Sequence, residues 1–273
     1  MEKILTDYFG KNAERLKSKK LFLLDMDGTV YNDNRIFDGT LDFLKGIKNV
    51  GAKYVFVTNN SSKSVKDYVE KVAKMGIDAD EENFFTSSFA AKAILKEKYK
   101  KSLIYAQGTK SFIKELKDYG LNVTEDYDKT AVAIILGFDT ELTFEKLSIT
   151  SKMLCTTDAT YYATHPDFVC PVEYGFVPDL GSICFGLEKA SGKTPIVIGK
   201  PQPYMILEAM KTQGVTKEET VVIGDRLSTD IASGTNASVD TVCVLSGEAT
   251  IKDIEDFSVK PTFIFESVKD IKL

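Results

Sequence analysis

The sequence has little histidine and no cysteine pattern typical of a metal site. His165 is the only histidine in the 273 residues, which excludes metal sites built from several histidines and leaves this one residue for any Ser-His-Asp triad or Cys-His pair. No two of the four cysteines form a CxxC pair: Cys155, Cys170, Cys184 and Cys243. Acid–base chemistry must therefore come mainly from carboxylates, lysine, tyrosine or cysteine.

An excess of basic residues and a long apolar run are also lacking. The net charge is −5, which offers no basic footprint for nucleic acid. The first twenty residues are too charged for a signal peptide, and no apolar run approaches membrane-spanning length. We therefore expect a soluble, cytoplasmic protein with reduced thiols that binds neither nucleic acid nor membrane. An anionic substrate would need local compensation from a metal or a well-placed lysine.

The stretch LFLLDMDGT at 21–29 is the most informative in the chain. Its unbroken apolar run predicts a strand buried on both faces, and the change at Asp25 predicts a loop at the carboxyl end of that strand. In open α/β sheets, ligands bind at this edge. Asp25 and Asp27 can therefore approach one small target, most simply a hard cation with an anion beside it.

Apolar runs alternate with helical patterns along the rest of the chain, which predicts an α/β fold with a parallel sheet. Residues 2–18 have the pattern of a short lead-in helix. The segment 165–182 reads as a loop, and 195–198 reads as a strand that ends in Gly-Lys-Pro. We predict a Rossmann-like core formed by 1–85 and 196–273, and an inserted α/β domain at 86–195.

Four apolar strands of the predicted core end in polar tips. The tips are DMDGT at 25–29, TNNSS at 58–62, GKP at 199–201 and GDRLSTD at 224–230. Each alone is a common polar turn. Because parallel strands have their carboxyl ends at one edge of a sheet, we expect the four tips to converge. The block 86–195 contributes none of them.

Such a set of residues is suited to phosphoryl transfer, which needs a nucleophile, a proton donor and positive charge around the phosphate. Asp25 would attack phosphorus and form an aspartyl-phosphate. Asp27 would protonate the leaving group and later deprotonate water. Gly28 lets the backbone approach the phosphate, Thr58 offers a hydroxyl group, and Lys200 supplies a point charge.

A metal ion completes the predicted site. Asp25, Asp225 and Asp27, the last through its backbone carbonyl, are candidate ligands of Mg²⁺. Asp230 would orient either Lys200 or a metal-bound water. Asn59 and Asn60, which follow Thr58, are further candidates for phosphate binding.

These motifs, in this order, resemble the four motifs of the haloacid dehalogenase superfamily of phosphatases. The insert resembles the type II cap of its NagD-like and 4-nitrophenyl phosphatase-like subfamily, and ATHPDFVCPVEYGFVPDLGSI at 163–183 is close to the cap-to-core loop of that subfamily. The resemblance covers the chain from residue 20 onward. It implies the nucleophile, acid/base and Mg²⁺ roles given above to Asp25, Asp27 and Asp225, and a cap that determines the substrate.

The chain departs from the family pattern at two places. Thr164-His165-Pro166-Asp167 stands where the family more often has TNPD, which makes His165 either a substrate contact or a loop histidine bonded to backbone. Ala237-Ser238-Val239 replaces an Ala-Gly-Met-like turn, and we expect this change to alter only the local backbone.

The leading hypothesis is a Mg²⁺-dependent phosphatase acting on a small phosphorylated metabolite, with a homodimer through the cap as a family-level possibility. A phosphotransferase or phosphomutase would need the same four tips. A phosphate-ligand binding module without turnover is the alternative from another class, although the presence of both Asp25 and Asp27 argues against it.

Overall fold

The computed structural model describes residues 4–172 and 174–273, which fold into alternating strands and helices. The helices of this part of the chain are α1 (Thr40–Asn49), α2 (Val65–Lys74), α3 (Ser87–Tyr99), α4 (Lys110–Asp118), α5 (Phe144–Thr156), α6 (Leu180–Ser191), α7 (Tyr204–Gln213), α8 (Ala232–Asn236) and α9 (Ile251–Asp256). The strands are β1 (Leu21–Leu24), β2 (Tyr31–Asn32), β3 (Arg35–Ile36), β4 (Lys53–Thr58), β5 (Phe84–Thr86), β6 (Ile104–Gln107), β7 (Val123–Thr124), β8 (Ala133–Leu136), β9 (Thr160–Ala163), β10 (Val169–Val172), β11 (Gly175–Pro178), β12 (Ile196–Val197), β13 (Thr220–Gly224), β14 (Asp240–Val244) and β15 (Phe263–Phe265). No helix in these two ranges is long and apolar enough to cross a bilayer.

The larger sheet of the described residues has six strands in the order β15-β14-β13-β1-β4-β5. Strand β1 pairs in parallel with β13 on one side and with β4 on the other. Its four residues are fully buried, as their unbroken apolar run predicts for a central strand. The α/β prediction is confirmed, and the carboxyl ends of β1, β4 and β13 lie at one edge of this sheet.

A second, five-stranded sheet has the order β12-β9-β8-β6-β7 within the described residues, and its neighbours all pair in parallel. Its core includes Ile134, Leu136 and Tyr161. Strand β12 precedes Gly-Lys-Pro and pairs with β9 in this sheet. The expectation that all four polar tips end strands of one sheet is therefore wrong for GKP, because a short apolar run does not specify the sheet that it joins.

The chain divides into two compact units. The first unit runs to Thr58 and includes Val69–Phe85 and Lys200–Leu273. The second unit comprises Asn59–Tyr68 and Thr86–Gly199. The first contains the six-stranded sheet, and the second contains the five-stranded one.

The segment 165–182, expected to be a loop, contains regular structure. Strands β10 and β11 form an antiparallel hairpin, and residue 173 between them lies outside the described residues. Helix α6 begins at Leu180, where the side chain of Asp179 accepts a hydrogen bond from the backbone N–H of Leu180. The alternating pattern of this hairpin is short and interrupted by prolines, which is why the sequence favoured a loop.

The predicted lead-in helix at 2–18 is wrong over its described part. Only Glu14–Ser18 forms a helical turn, of the 3₁₀ type, and residues 1–3 lie outside the described residues. Asp7 accepts hydrogen bonds on Oδ1 from the backbone N–H groups of Phe9 and Lys11, and Gly10 has φ +80°. This side-chain turn replaces the helical hydrogen bonds that the apolar spacing alone would favour.

Ser238 occupies the turn between α8 and β14 with φ +61°. This is the position where the resembled subfamily has a glycine. A left-handed backbone is strained for a residue with a Cβ and unstrained for glycine. Ser238 therefore forms this turn at a cost in backbone strain, and its side chain is exposed.

Replacing Ser238 by glycine is expected to raise the free energy of unfolding, by up to about 1 kcal/mol, since it removes the strain of a left-handed residue. Urea unfolding at equilibrium measures the change. Ser238→Ala is the matched control because alanine keeps the Cβ, and it should show no gain. Equal stability of the two variants would contradict the strain argument.

Candidate active site

Asp25 lies directly after β1, at the carboxyl edge of the six-stranded sheet. Its backbone N–H donates to the carbonyl of Ile223 (2.8 Å), which holds the start of the loop against β13. The side chain is 14% exposed and lies beside Lys200, with 2.6 Å between Lys200 Nζ and Asp25 Oδ1. Burial, together with the nearby carboxylate of Asp230, raises the pKa of Asp25 well above its usual range.

Lys200 is a buried ammonium group shared by two carboxylates. Its Nζ lies 2.6 Å from Asp25 Oδ1 and 2.6 Å from Asp230 Oδ1, and it also donates to the carbonyl of Val57 at 2.9 Å. Burial opposes its positive charge, but Asp230 and Asp25 more than offset this and raise the pKa of Lys200 above its usual value. The lysine is therefore charged and held in one place, although it does not end a strand of this sheet.

Asp225 follows β13 and is held from several directions. Oδ1 accepts a hydrogen bond from the hydroxyl of Thr29 (3.3 Å), and Oδ2 accepts one from the backbone N–H of Glu248 (2.8 Å). A Cβ on Gly28, whose φ is +85°, or on Gly247 would overlap the Asp225 carboxylate. Burial, with Asp230 nearby, raises the pKa of Asp225 to about 6.

Asp230 lies beside Lys200 because the chain after β13 forms an unusual helical turn. Leu227–Ile231 form a single turn of π-helix, a feature frequent at functional sites. Asp230 Oδ2 accepts from the backbone N–H of Arg226 (3.1 Å), while Oδ1 faces Lys200. The side chain is only 1% exposed, so Asp230 holds Lys200 and is shielded from solvent.

Asp25, Asp225 and Asp230 can each offer one oxygen to a common centre, since these atoms lie within 4.8 Å of one another. Three carboxylates face one ammonium group here, which leaves an excess of buried negative charge. Carboxylate oxygens in such a setting suit a hard divalent cation, and Mg²⁺ fits this donor set. The residues present are therefore compatible with the predicted metal.

The side chain of Asp27 differs from these three. It is 53% exposed. The cluster of three carboxylates found among the described residues includes Asp230 and not Asp27. Lys71 Nζ lies 3.9 Å from Asp27 Oδ1. The carboxylate of Asp27 is thus on the open side of the loop, where a proton can be exchanged.

The other residues predicted to bind phosphate are divided between the two units. Thr58, at the end of β4, is buried in the first unit. Asn59 and Asn60 belong to the second, where Asn59 Nδ2 donates to Asp167 Oδ2 (3.3 Å) and Asn60 Oδ1 accepts from the backbone N–H of Ser62 (2.9 Å). Their role in phosphate binding stays a prediction.

His165 is buried in the second unit. Its Nε2 lies 3.1 Å from Asp179 Oδ1, the carboxylate at the start of α6. The sequence leaves His165 as either a substrate contact or a loop histidine bonded to backbone. The structure shows a contact with the carboxylate of Asp179. Its role toward a substrate stays a prediction.

Sequence reasoning missed the segment after β14. The hydroxyl of Ser246 donates to the carbonyl of Gly28 (2.7 Å), and the backbone of Glu248 binds Asp225, so this loop supports two of the predicted motifs. The signal was present as a further polar tip, Ser-Gly-Glu, after the apolar run of β14. Lys71 was missed because its position on α2 reads as an ordinary solvated lysine.

Two family models and several known proteins match this chain. Residues 22–122 match the family model described as haloacid dehalogenase-like hydrolase, and residues 197–271 match a second model of the same kind. An acid sugar phosphatase from Staphylococcus aureus is 32% identical over 255 residues, which cover 93% of this chain and 97% of the relative.

Two solved structures are similar over nearly their whole length. A 4-nitrophenylphosphatase from Thermotoga maritima has 36% identity and a TM-score of 0.89, covering 94% of this chain and 98% of the other. NagD from E. coli K-12 has 32% identity and a TM-score of 0.84, covering 93% and 98%. The chain therefore belongs to the haloacid dehalogenase-like hydrolases and is a NagD-like phosphatase of that family.

Proposed function

We propose that this enzyme hydrolyses small phosphomonoesters through an aspartyl-phosphate on Asp25, with Asp27 as general acid and base and Mg²⁺ as cofactor. The observation that carries the proposal is the position of Asp25, which is held by Lys200 beside two further carboxylates at the carboxyl edge of the sheet.

Exposure supports Asp25 as the nucleophile. Asp225 and Asp230 are almost fully buried, and both oxygens of each are already engaged. Asp25 is the most exposed of the three, and its contact with Lys200 opposes the rise in its pKa that burial causes, which favours the anionic form that attacks phosphorus.

The chemistry then proceeds in two transfers. An oxygen of Asp25 forms a bond to phosphorus as the bond from phosphorus to the leaving oxygen breaks, and Asp27 gives its proton to that leaving oxygen. In the second transfer, water attacks phosphorus, Asp27 takes the proton, and the bond to Asp25 breaks to release phosphate. Thr58 would donate its hydroxyl hydrogen to a phosphate oxygen.

Asp25, Asp225 and the backbone carbonyl of Asp27 would hold the Mg²⁺. Asp230 would hold Lys200 in position beside them. When bound, the cation offsets the repulsion between the carboxylates and the anionic phosphate. Gly28 supports this arrangement because a side chain at that position would collide with Asp225.

We further propose that the block 86–195, which lies within the second unit, is the cap that selects the substrate, and that Asn59, Asn60 and His165 contribute to recognition. The names of the relatives favour sugar phosphates and aryl phosphates as first candidates. None of the four cysteines forms a disulfide within the described residues, which supports a place in the reducing cytoplasm.

Phosphate release from a panel of sugar phosphates and aryl phosphates, with Mg²⁺ or with excess chelator, tests the hydrolase. Adding an alcohol as a second acceptor tests the intermediate. If every substrate forms the same phosphoenzyme, the ratio of phosphate transferred to alcohol and to water is the same for every leaving group. A ratio that changes with the leaving group would exclude a common aspartyl-phosphate, and transfer to alcohol alone would indicate a phosphotransferase.

Asp25→Asn is expected to lower the rate of phosphate release by at least about 10³-fold, because the amide cannot act as the nucleophile. Steady-state phosphate release measures the loss, and circular dichroism checks that the fold is kept. Asp42→Asn, which makes the same change at an exposed position in the first turn of α1, should retain normal activity. Persisting activity in Asp25→Asn would exclude this residue as the nucleophile.

Mg²⁺ is expected to raise the temperature of thermal unfolding, since a ligand of the folded state stabilises that state. Because the pKa of Asp225 is raised to about 6, its ionised carboxylate destabilises the metal-free protein as the pH rises through that value. Protons and Mg²⁺ compete for the carboxylate, so the stabilisation by Mg²⁺ should be clear at neutral pH and small near about pH 5.

Scanning fluorimetry with and without Mg²⁺ at both pH values provides the measurement. Asp225→Asn should lose the shift at neutral pH, whereas Asp42→Asn should keep it. An equal shift at both pH values, or a full shift in Asp225→Asn, would contradict this assignment of the metal site.

A further inference from the structure

Lys71 on α2 lies over the ring of Tyr31. Its Nζ is 4.0 Å from the centre of that ring, a cation–π distance, and the lysine side chain is only 16% exposed. A solvated lysine on a helix surface would be far more open. The position of this ammonium group is therefore determined by packing.

Tyr31 provides a rigid platform for that packing. The tyrosine is fully buried, and its carbonyl accepts a hydrogen bond from the backbone N–H of Gly28 (2.8 Å). The backbone N–H of Tyr31 donates to the carbonyl of Met26 (3.3 Å). Tyr31 and Asp27 also form an isolated parallel β-bridge. The ring that supports Lys71 thus belongs to the same tight turn that carries Asp27.

The ammonium group of Lys71 consequently faces the Asp27 carboxylate at 3.9 Å. At this separation a positive charge attracts the carboxylate electrostatically. Asp27 is half exposed, and the fixed positive charge beside it favours one orientation of its carboxylate.

We propose that Lys71 is a positioning residue that orients Asp27 toward the leaving oxygen of the substrate. This inference rests on the proposed function, in which Asp27 is the general acid. Lys71 then differs from Lys200, which holds the nucleophile. The two lysines would each hold one of the two aspartates of the same loop.

A general acid matters most when the leaving group is a poor one, so the test uses aryl phosphates from 4-nitrophenyl phosphate to phenyl phosphate. In Lys71→Met, which keeps the length of the apolar stem, kcat/KM for phenyl phosphate should fall about tenfold, because kcat/KM reports the first transfer, in which the leaving group departs. For 4-nitrophenyl phosphate, whose leaving group needs little protonation, kcat/KM should fall less than about twofold. Lys71→Arg should restore most of the loss.

Lys74→Met is the matched control, because Lys74 is an exposed residue of the same helix, and it should behave as the wild type. In an Asp27→Asn background, Lys71→Met should cause no further loss. A loss in Lys71→Met that is equal for all leaving groups, or that adds to the loss in Asp27→Asn, would overturn the positioning role.

The same series separates this inference from the proposed function. Asp27→Asn should itself slow phenyl phosphate more than 4-nitrophenyl phosphate. If it slows both equally, the general-acid assignment is wrong, and the inference about Lys71 fails with it. If Asp27→Asn is selective and Lys71→Met is not, only the inference about Lys71 is wrong.

Discussion

The buried ammonium group of Lys200 is the interaction on which the active site depends. It contacts Asp25 after β1, Asp230 after β13 and the carbonyl of Val57 in β4, so one side chain joins the carboxyl ends of three neighbouring strands. Removing one partner of a buried ion pair leaves an uncompensated charge, which costs about 3–5 kcal/mol. The three strand ends and the lysine are therefore interdependent.

This arrangement is not optimised for stability. Asp25, Asp225 and Asp230 bring three carboxylates together against one ammonium group, and burial raises the pKa of both Asp25 and Asp225. A chain selected for stability alone would gain by replacing such a cluster with apolar side chains. The excess negative charge would have a function if a divalent cation bound there. The cation would offset the repulsion among the carboxylates, and its positive charge would attract the anionic phosphate.

The two aspartates of the loop after β1 have different surroundings, which suit the different roles proposed for them. Asp25 is enclosed and paired with Lys200, which holds the side chain in place and opposes its protonation, as the proposed nucleophile requires. Asp27, two residues later, is half exposed with Lys71 at a longer distance, which suits a group that gains and loses protons. Neighbouring carboxylates with different surroundings can in this way take different steps of one reaction.

The α/β fold class, the buried strand β1 and the four polar tips could be predicted from the sequence, because hydrophobic periodicity and abrupt polar ends are local properties of the chain. The hairpin of β10 and β11, the absence of a helix at residues 4–13 and the sheet that contains β12 could not, since side-chain turns and strand pairing override weak local preferences.

The same distinction applies to the active site. The sequence by itself determined which residues could do the chemistry: Asp25, Asp27, Lys200, Asp225 and Asp230. Only the tertiary structure decided that Asp230 holds Lys200, that the loop after β14 supports Asp225, and that Lys71 faces Asp27. Those contacts join residues tens of positions apart, and local sequence patterns do not specify which distant residues will meet.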